Sequence, residues 1–171
     1  RISAVIDENG GVVDKFVGDA VMALYGAPLQ HADDGERAVS TALGMLRALE
    51  GLNAEFQEQG LRRLEMGVGI NTALVVAGNM GSQTRMNYTV IGDGVNLASR
   101  LEGLCKKYGV SVIASETARV LAPGFAFREL DWVRVKGKSE PVTIYEPVGE
   151  SDKIDPRALR ELEAYNEALA L

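Results

Sequence analysis

Apolar positions recur at Ile2, Val5 and Ile6, a helical spacing that Asn9-Gly10-Gly11 stops. Val12 to Tyr25 is rich in apolar and β-branched residues and is broken by Gly18-Asp19, which predicts a hairpin ended by Pro28. Val39, Leu43, Leu46, Leu49 and Phe56 fall on one helical face, so a long helix is expected from about Asp34 to Gln57, with Asp33 and Asp34 as capping residues. Leu64, Met66, Val68 and Ile70 then alternate with Glu65, Gly67, Gly69 and Asn71, the pattern of a half-buried strand. Its second face is nearly bare of side chains, which marks close approach by another backbone or a ligand.

Extended stretches follow at Val75–Met80 and Met86–Ile91, turned by Gly81-Ser82-Gln83. Leu97, Leu101 and Leu104 predict a helix from about Val95 to Tyr108. Val110–Ala114 reads as a short strand, with Ser115 capping a brief helix. Trp132–Lys136 and Val142–Tyr145 read as a last hairpin with Gly137 near its turn. Pro156 opens a final helix with Leu159, Leu162, Tyr165 and Leu169 on one face. Alternating strands and helices with interspersed hairpins predict an α+β fold, a ferredoxin-like mixed sheet with packed helices.

Length adds that 171 residues suffice for one domain with its own core. The net charge of −6 argues against a nucleic-acid surface, and no apolar run approaches a membrane span. Cys105 is the only cysteine, which excludes an internal disulfide and fits a reducing cytosol. The opening lacks an initiator Met and lies inside a helix, so earlier elements are expected in a longer protein.

Candidate chemistry is sparse when each residue is taken alone. Asp19 at a hairpin tip reads first as turn chemistry, with a carboxylate for a hard cation that needs oxygen ligands as the alternative. Lys15 reads as an edge-strand lysine or as a donor to a base or phosphate. Asn96 and Arg100 share a helix face at i, i+4, as a solvated pair or as a hydroxyl-orienting amide beside a phosphate-binding fork. Lys136 and Lys138 flank a turn glycine. His31 reads as a loop residue and Cys105 as packing.

Taken in order, these pieces resemble one family. Gly11-Val-Val-Asp-Lys-Phe-Val-Gly-Asp-Ala-Val-Met-Ala23 looks like the metal-binding hairpin of class III nucleotidyl cyclases. Tyr88-Thr-Val-Ile-Gly-Asp-Gly-Val-Asn-Leu-Ala-Ser-Arg100 looks like the entry to their transition-state helix, and Val135-Lys-Gly-Lys138 like their late phosphate-contacting turn. The agreement in order and spacing spans roughly residues 1–148.

The resemblance implies a bacterial-type adenylyl cyclase catalytic domain over residues 1–149, with 150–171 as a C-terminal helical extension. Its substrate would be ATP and its products 3′,5′-cyclic AMP and pyrophosphate. Two divalent cations, Mg2+ or Mn2+, would assist, with Asp19 as one metal aspartate. Lys15 and Thr89 match the purine-selecting positions; lysine there goes with adenine, and a Lys/Thr pair occurs in a bacterial-type and soluble branch. Asn96 and Arg100 match the pair that orients ribose and stabilises the transition state, and Lys136 a lysine for the terminal phosphates.

Family enzymes are dimers with sites at the interface. A homodimer is therefore implied, with the glycine-bearing strand face and the Met80–Tyr88 arm as interface elements. Regulatory domains of the same longer polypeptide are further implied partners. Neither nucleic acid nor membrane contact is expected of this segment; any inner-membrane tether would lie elsewhere in the parent protein. The second metal aspartate, on a central strand of the family sheet, is expected upstream of Arg1, with a helix that also precedes this chain. Ala73 stands where many relatives have glycine.

Overall fold

A computed structural model of the chain describes residues 1–82, 84–134 and 141–169, with Arg85 described by its backbone alone. Helix α1 (Ile2–Glu8) buries Ile6 and ends where the polar run begins: Asn9 Nδ2 donates to the Val5 carbonyl at 2.8 Å, and Gly10 adopts φ 68°. That left-handed turn suits glycine. It also lets Arg37 of α2 (Asp34–Glu58) donate from Nε to the Asn9 carbonyl at 2.8 Å. Asp33 occupies the capping position of α2 without a side-chain bond, and Asp34 is held by the preceding loop instead, accepting from the His31 backbone N–H at 2.7 Å.

Strands β1 (Val12–Val17) and β2 (Ala20–Leu24) form the expected antiparallel hairpin around Gly18-Asp19. Their register slips: Val13 faces Ala23, yet Lys15 faces Met22, leaving Asp14 in a bulge. The strand expected from Leu64 is shorter than its alternation suggests. Asn53 of α2 captures Leu64 on both sides, donating from Nδ2 to its carbonyl at 2.9 Å and accepting its N–H at 2.8 Å. With that backbone satisfied by a side chain, only β3 (Val68–Ile70) enters a ladder.

The main sheet has the order β3, β6 (Val112–Ser115), β8 (Val142–Glu150), β7 (Phe125–Val133). β3 and β6 run parallel and the other pairs antiparallel, so the sheet is mixed. β7 begins well before Trp132; two register shifts, after Ala126 and after Glu129, break its period of two and hide it from an alternation count. The expected turn at Gly137 lies outside the described residues. β4 (Val76–Ser82) and β5 (Arg85–Ile91) form a separate antiparallel arm.

Successive residues of β6 feed two cores on opposite faces. Val112 and Ala114 pack with Val39 and Ala42 of α2, Phe127 and Tyr145. Ile113 packs with Ile144 and with Leu97, Leu101 and Cys105 of α3 (Asp93–Tyr108). Leu101, Ile113 and Ile144 are fully buried, each worth about 2 kcal/mol of transfer free energy. The architecture is therefore α+β, a mixed sheet with packed helices.

The bare face expected near Gly67 and Gly69 is filled from within the chain. A methyl at Gly69 would lie 2.0 Å from the Ala98 carbonyl oxygen, so α3 rests directly on β3. This face is therefore not available as an interface element. Ser115 caps α4 (Glu116–Val120), accepting the Ala118 N–H at 3.3 Å. Helix α5 (Pro156–Leu169) lies along β7, with Leu159 and Leu162 half-buried but Tyr165 and Leu169 exposed. Asn166 takes over the contact, donating to the Phe127 carbonyl at 2.8 Å and accepting the Glu129 N–H at 2.9 Å.

Candidate functional site

The bulge in β1 decides the geometry of the first group. In a regular strand, neighbours point to opposite faces. The extra residue in β1 allows Asp14 and Lys15 to converge on Thr89 of β5. Lys15 Nζ donates to Thr89 Oγ1 at 2.7 Å, and Thr89 Oγ1 donates to Asp14 Oδ2 at 2.7 Å. Lys15 Nζ also lies 3.3 Å from Asp14 Oδ2. The carboxylate is 1% exposed and the lysine side chain 42%, so a buried acid anchors a cation that reaches solvent. Among the described residues no ladder joins the β1–β2 hairpin to the β4–β5 arm; this polar cluster bridges them.

Sequence reasoning named Lys15 and Thr89 and missed Asp14. The available signal was a carboxylate inside an apolar strand next to a lysine. The bulge that turns it inward arises from cross-strand register.

Asp19 sits exposed at the hairpin tip, where the positive φ of Gly18 makes the tight turn. Its carboxylate forms no hydrogen bond or ion pair among the described residues. Asn96 and Arg100 stand one turn apart on α3, Asn96 exposed and Arg100 half-buried. The start of α3 is held by Asn71, whose Nδ2 donates to the Gly94 carbonyl at 2.9 Å, and the Ala73 methyl occupies the space beside Gly94. Arg100 Nη1 lies 4.0 Å from Asp93 Oδ1 and is buried without a hydrogen-bond partner among the described residues. A buried donor left unpaired costs about 1–3 kcal/mol, so this guanidinium favours the arrival of an oxygen acceptor.

Lys136 lies outside the described residues. The structure thus joins Lys15 to Thr89 and sets Asn96 with Arg100 on one helix, while among the described residues no hydrogen bond or ion pair links Asp19 to either pair. Cys105 is enclosed in the α3 core, and burial pushes its thiol up. His31 meets Asp34 through its backbone, donating its N–H to the carboxylate at 2.7 Å and accepting the Asp34 N–H at 3.4 Å.

Residues 1–146 match the family model described as the adenylate and guanylate cyclase catalytic domain. The chain belongs to this family. The cyclase domain is 43% identical over 151 residues to an adenylate cyclase of Anabaena cylindrica, covering 82% of this chain and 29% of that protein. Its fold is similar to the crystal structure of the adenylyl cyclase CyaB from P. aeruginosa, with a TM-score of 0.81, 36% identity, and coverage of 90% of this chain and 80% of that one. It is also similar to the guanylyl cyclase Cya2, with a TM-score of 0.78, 35% identity, and coverage of 90% and 78%. The cyclase domain spans less than a third of the length of the curated relatives it matches.

Cyclases of this family generally use divalent metal ions. The uncommitted carboxylate of Asp19 at a tight turn suits a hard cation. It is a single donor, however, and no group of three His, Cys, Asp or Glu side chains gathers among the described residues. Among the described residues, no helix is long and apolar enough to cross a membrane.

Proposed function

We propose that this domain is an adenylyl cyclase, converting ATP to 3′,5′-cyclic AMP and pyrophosphate at an interface between two copies of the chain. The observation that carries the reading is the 2.7 Å hydrogen bond between Lys15 and Thr89, two residues 74 positions apart. A donor and an acceptor side by side at a partly exposed point suit the edge of a purine. The 43% identity to an adenylate cyclase supports ATP as the substrate.

The reaction joins the ribose 3′-oxygen to the α-phosphorus as the bond to pyrophosphate breaks. It asks a protein chiefly for positioning and for donors aimed at developing charge. Lys15 and Thr89 hold the base. Asn96 orients the ribose, and the unbonded guanidinium N–H of Arg100 meets charge growing on the phosphate oxygens. Lys136 holds the terminal phosphates. Asp19 serves as one ligand for two divalent cations, Mg2+ or Mn2+, which when bound neutralise triphosphate charge.

Asp19 serves one site, and the two pairs together with Lys136 come from the other copy. Support for the dimer comes from the exposed apolar side chains Phe16 and Val17 on β1 and Val76, Met86, Tyr88 and Ile91 on the β4–β5 arm. Residues 1–149 form the catalytic domain and 150–171 its helical extension. Regulatory input comes from other segments of a longer polypeptide.

The test is incubation of the domain, within its full-length protein, with ATP and Mg2+ or Mn2+. Cyclic AMP is expected, and none above an Asp19→Ala control overturns the reading. Similarity to the guanylyl cyclase Cya2 favours a second reading, GTP cyclisation. Turnover of GTP in preference to ATP in the same assay selects it. Turnover of neither nucleotide selects a third, a silent cyclase-like dimerisation and signalling module.

A further inference from the structure

We propose that Asp14 is a positioning residue for base selection: its buried carboxylate fixes the Thr89 hydroxyl as an acceptor toward the substrate base. The inference rests on the reading in which Lys15 and Thr89 meet the purine. Thr89 Oγ1 has one proton and two lone pairs. The proton goes to Asp14 Oδ2 at 2.7 Å, and one lone pair takes a proton from Lys15 Nζ at 2.7 Å. One lone pair remains, so the hydroxyl can only accept.

Adenine presents an amino donor at position 6 beside an unprotonated ring nitrogen, whereas guanine presents a carbonyl oxygen beside a ring N–H. With Lys15 directed at the ring nitrogen, an acceptor-only Thr89 matches the adenine amino group. It sets lone pair against lone pair at the guanine carbonyl. A hydroxyl free to rotate would serve either base.

The bulge gives this arrangement its cause. Asp14 takes no place in the β1–β2 register, and its side chain is 1% exposed. A carboxylate so enclosed needs partners, and among the described residues Thr89 and Lys15 supply them. Asp14 itself is covered, and it acts through the two side chains in front of it.

The experiment measures kcat/KM for ATP and for GTP in the full-length protein and in Asp14→Asn, Asp14→Ala, Thr89→Ala, Lys15→Ala and the Asp14→Ala/Thr89→Ala pair. Asp14→Asn keeps the shape of the side chain but can offer an amide donor to Thr89, releasing the hydroxyl polarity. The ATP:GTP ratio is expected to fall about tenfold in both Asp14 variants, chiefly through KM for ATP. In the Thr89→Ala background, removing Asp14 should leave the ratio unmoved.

A merely structural role lowers both nucleotides together and keeps the ratio. That result in folded Asp14→Asn, with the ratio altered in Thr89→Ala, overturns the inference and leaves the adenylyl cyclase reading standing. If neither Lys15→Ala nor Thr89→Ala changes the ratio or KM, the reading fails and the inference falls with it. Should Asp14→Ala not fold, Asp14→Asn carries the test.

Discussion

Among the described residues Arg100 Nη1 is buried with no hydrogen bond, 4.0 Å from Asp93 Oδ1, an arrangement that favours an incoming anion. If that anion is the developing phosphate charge, Arg100→Ala lowers kcat by about a hundredfold or more while KM for ATP moves far less. Steady-state kinetics on the full-length protein checks this, and equal changes in both constants would count against it. A second prediction concerns Tyr108, whose hydroxyl donates to Asp131 Oδ2 at 2.5 Å. Desolvation and the neighbouring carboxylate push the phenol up to about 12, from an ordinary value of 10. The folded state therefore holds this proton more tightly than the unfolded chain does. The stabilisation is complete below pH 10 and is lost as pH rises toward 12. Melting curves of the wild type and Tyr108→Phe should differ at about pH 9 and converge near the upper limit.

At the scale of elements, the tightest constraint is the contact of β3 with α3. Gly69→Ala would drive a methyl into the Ala98 carbonyl, with the Glu102 backbone nitrogen 2.5 Å away. Backbone on both sides cannot swing aside as a side chain would, so the expected loss is about 3 kcal/mol. Urea denaturation measures it, and a loss below half that figure would show that the helix shifts freely. Much of this layer was legible in the sequence. The long period of α2 and the Gly18-Asp19 turn mark elements whose causes are local. What escaped had distant causes. Leu64 leaves the ladder because Asn53, eleven residues earlier, binds its backbone. β7 is hidden by two bulges set by its partner β8. Lys15 and Thr89 were named from motif order, but Asp14 was not, since nothing within Val12–Val17 shows where β2 will slip.

On the scale of the whole molecule, no hydrogen bond or ion pair among the described residues joins the open carboxylate of Asp19 to the α3 pair Asn96 and Arg100. If one copy supplies the first and its mate the second, two inactive variants should rescue each other. Mixing equal amounts of Asp19→Ala and Asn96→Ala proteins should restore roughly a quarter of wild-type turnover, since half the dimers are mixed and each of these has one whole site. No recovery after subunit exchange would place all the groups in a single chain. The seating of α3 on Gly69 has a mechanical consequence for such an assembly. With no side chain between helix and strand at Gly69, that contact has little soft material to absorb displacement. A push that tilts the four-stranded sheet swings Asn96 and Arg100 through the same angle, as a door carries its handle. If Asn96 and Arg100 act on the nucleotide as proposed, a sensor coupled to that sheet would govern turnover by torque, without ever touching the substrate.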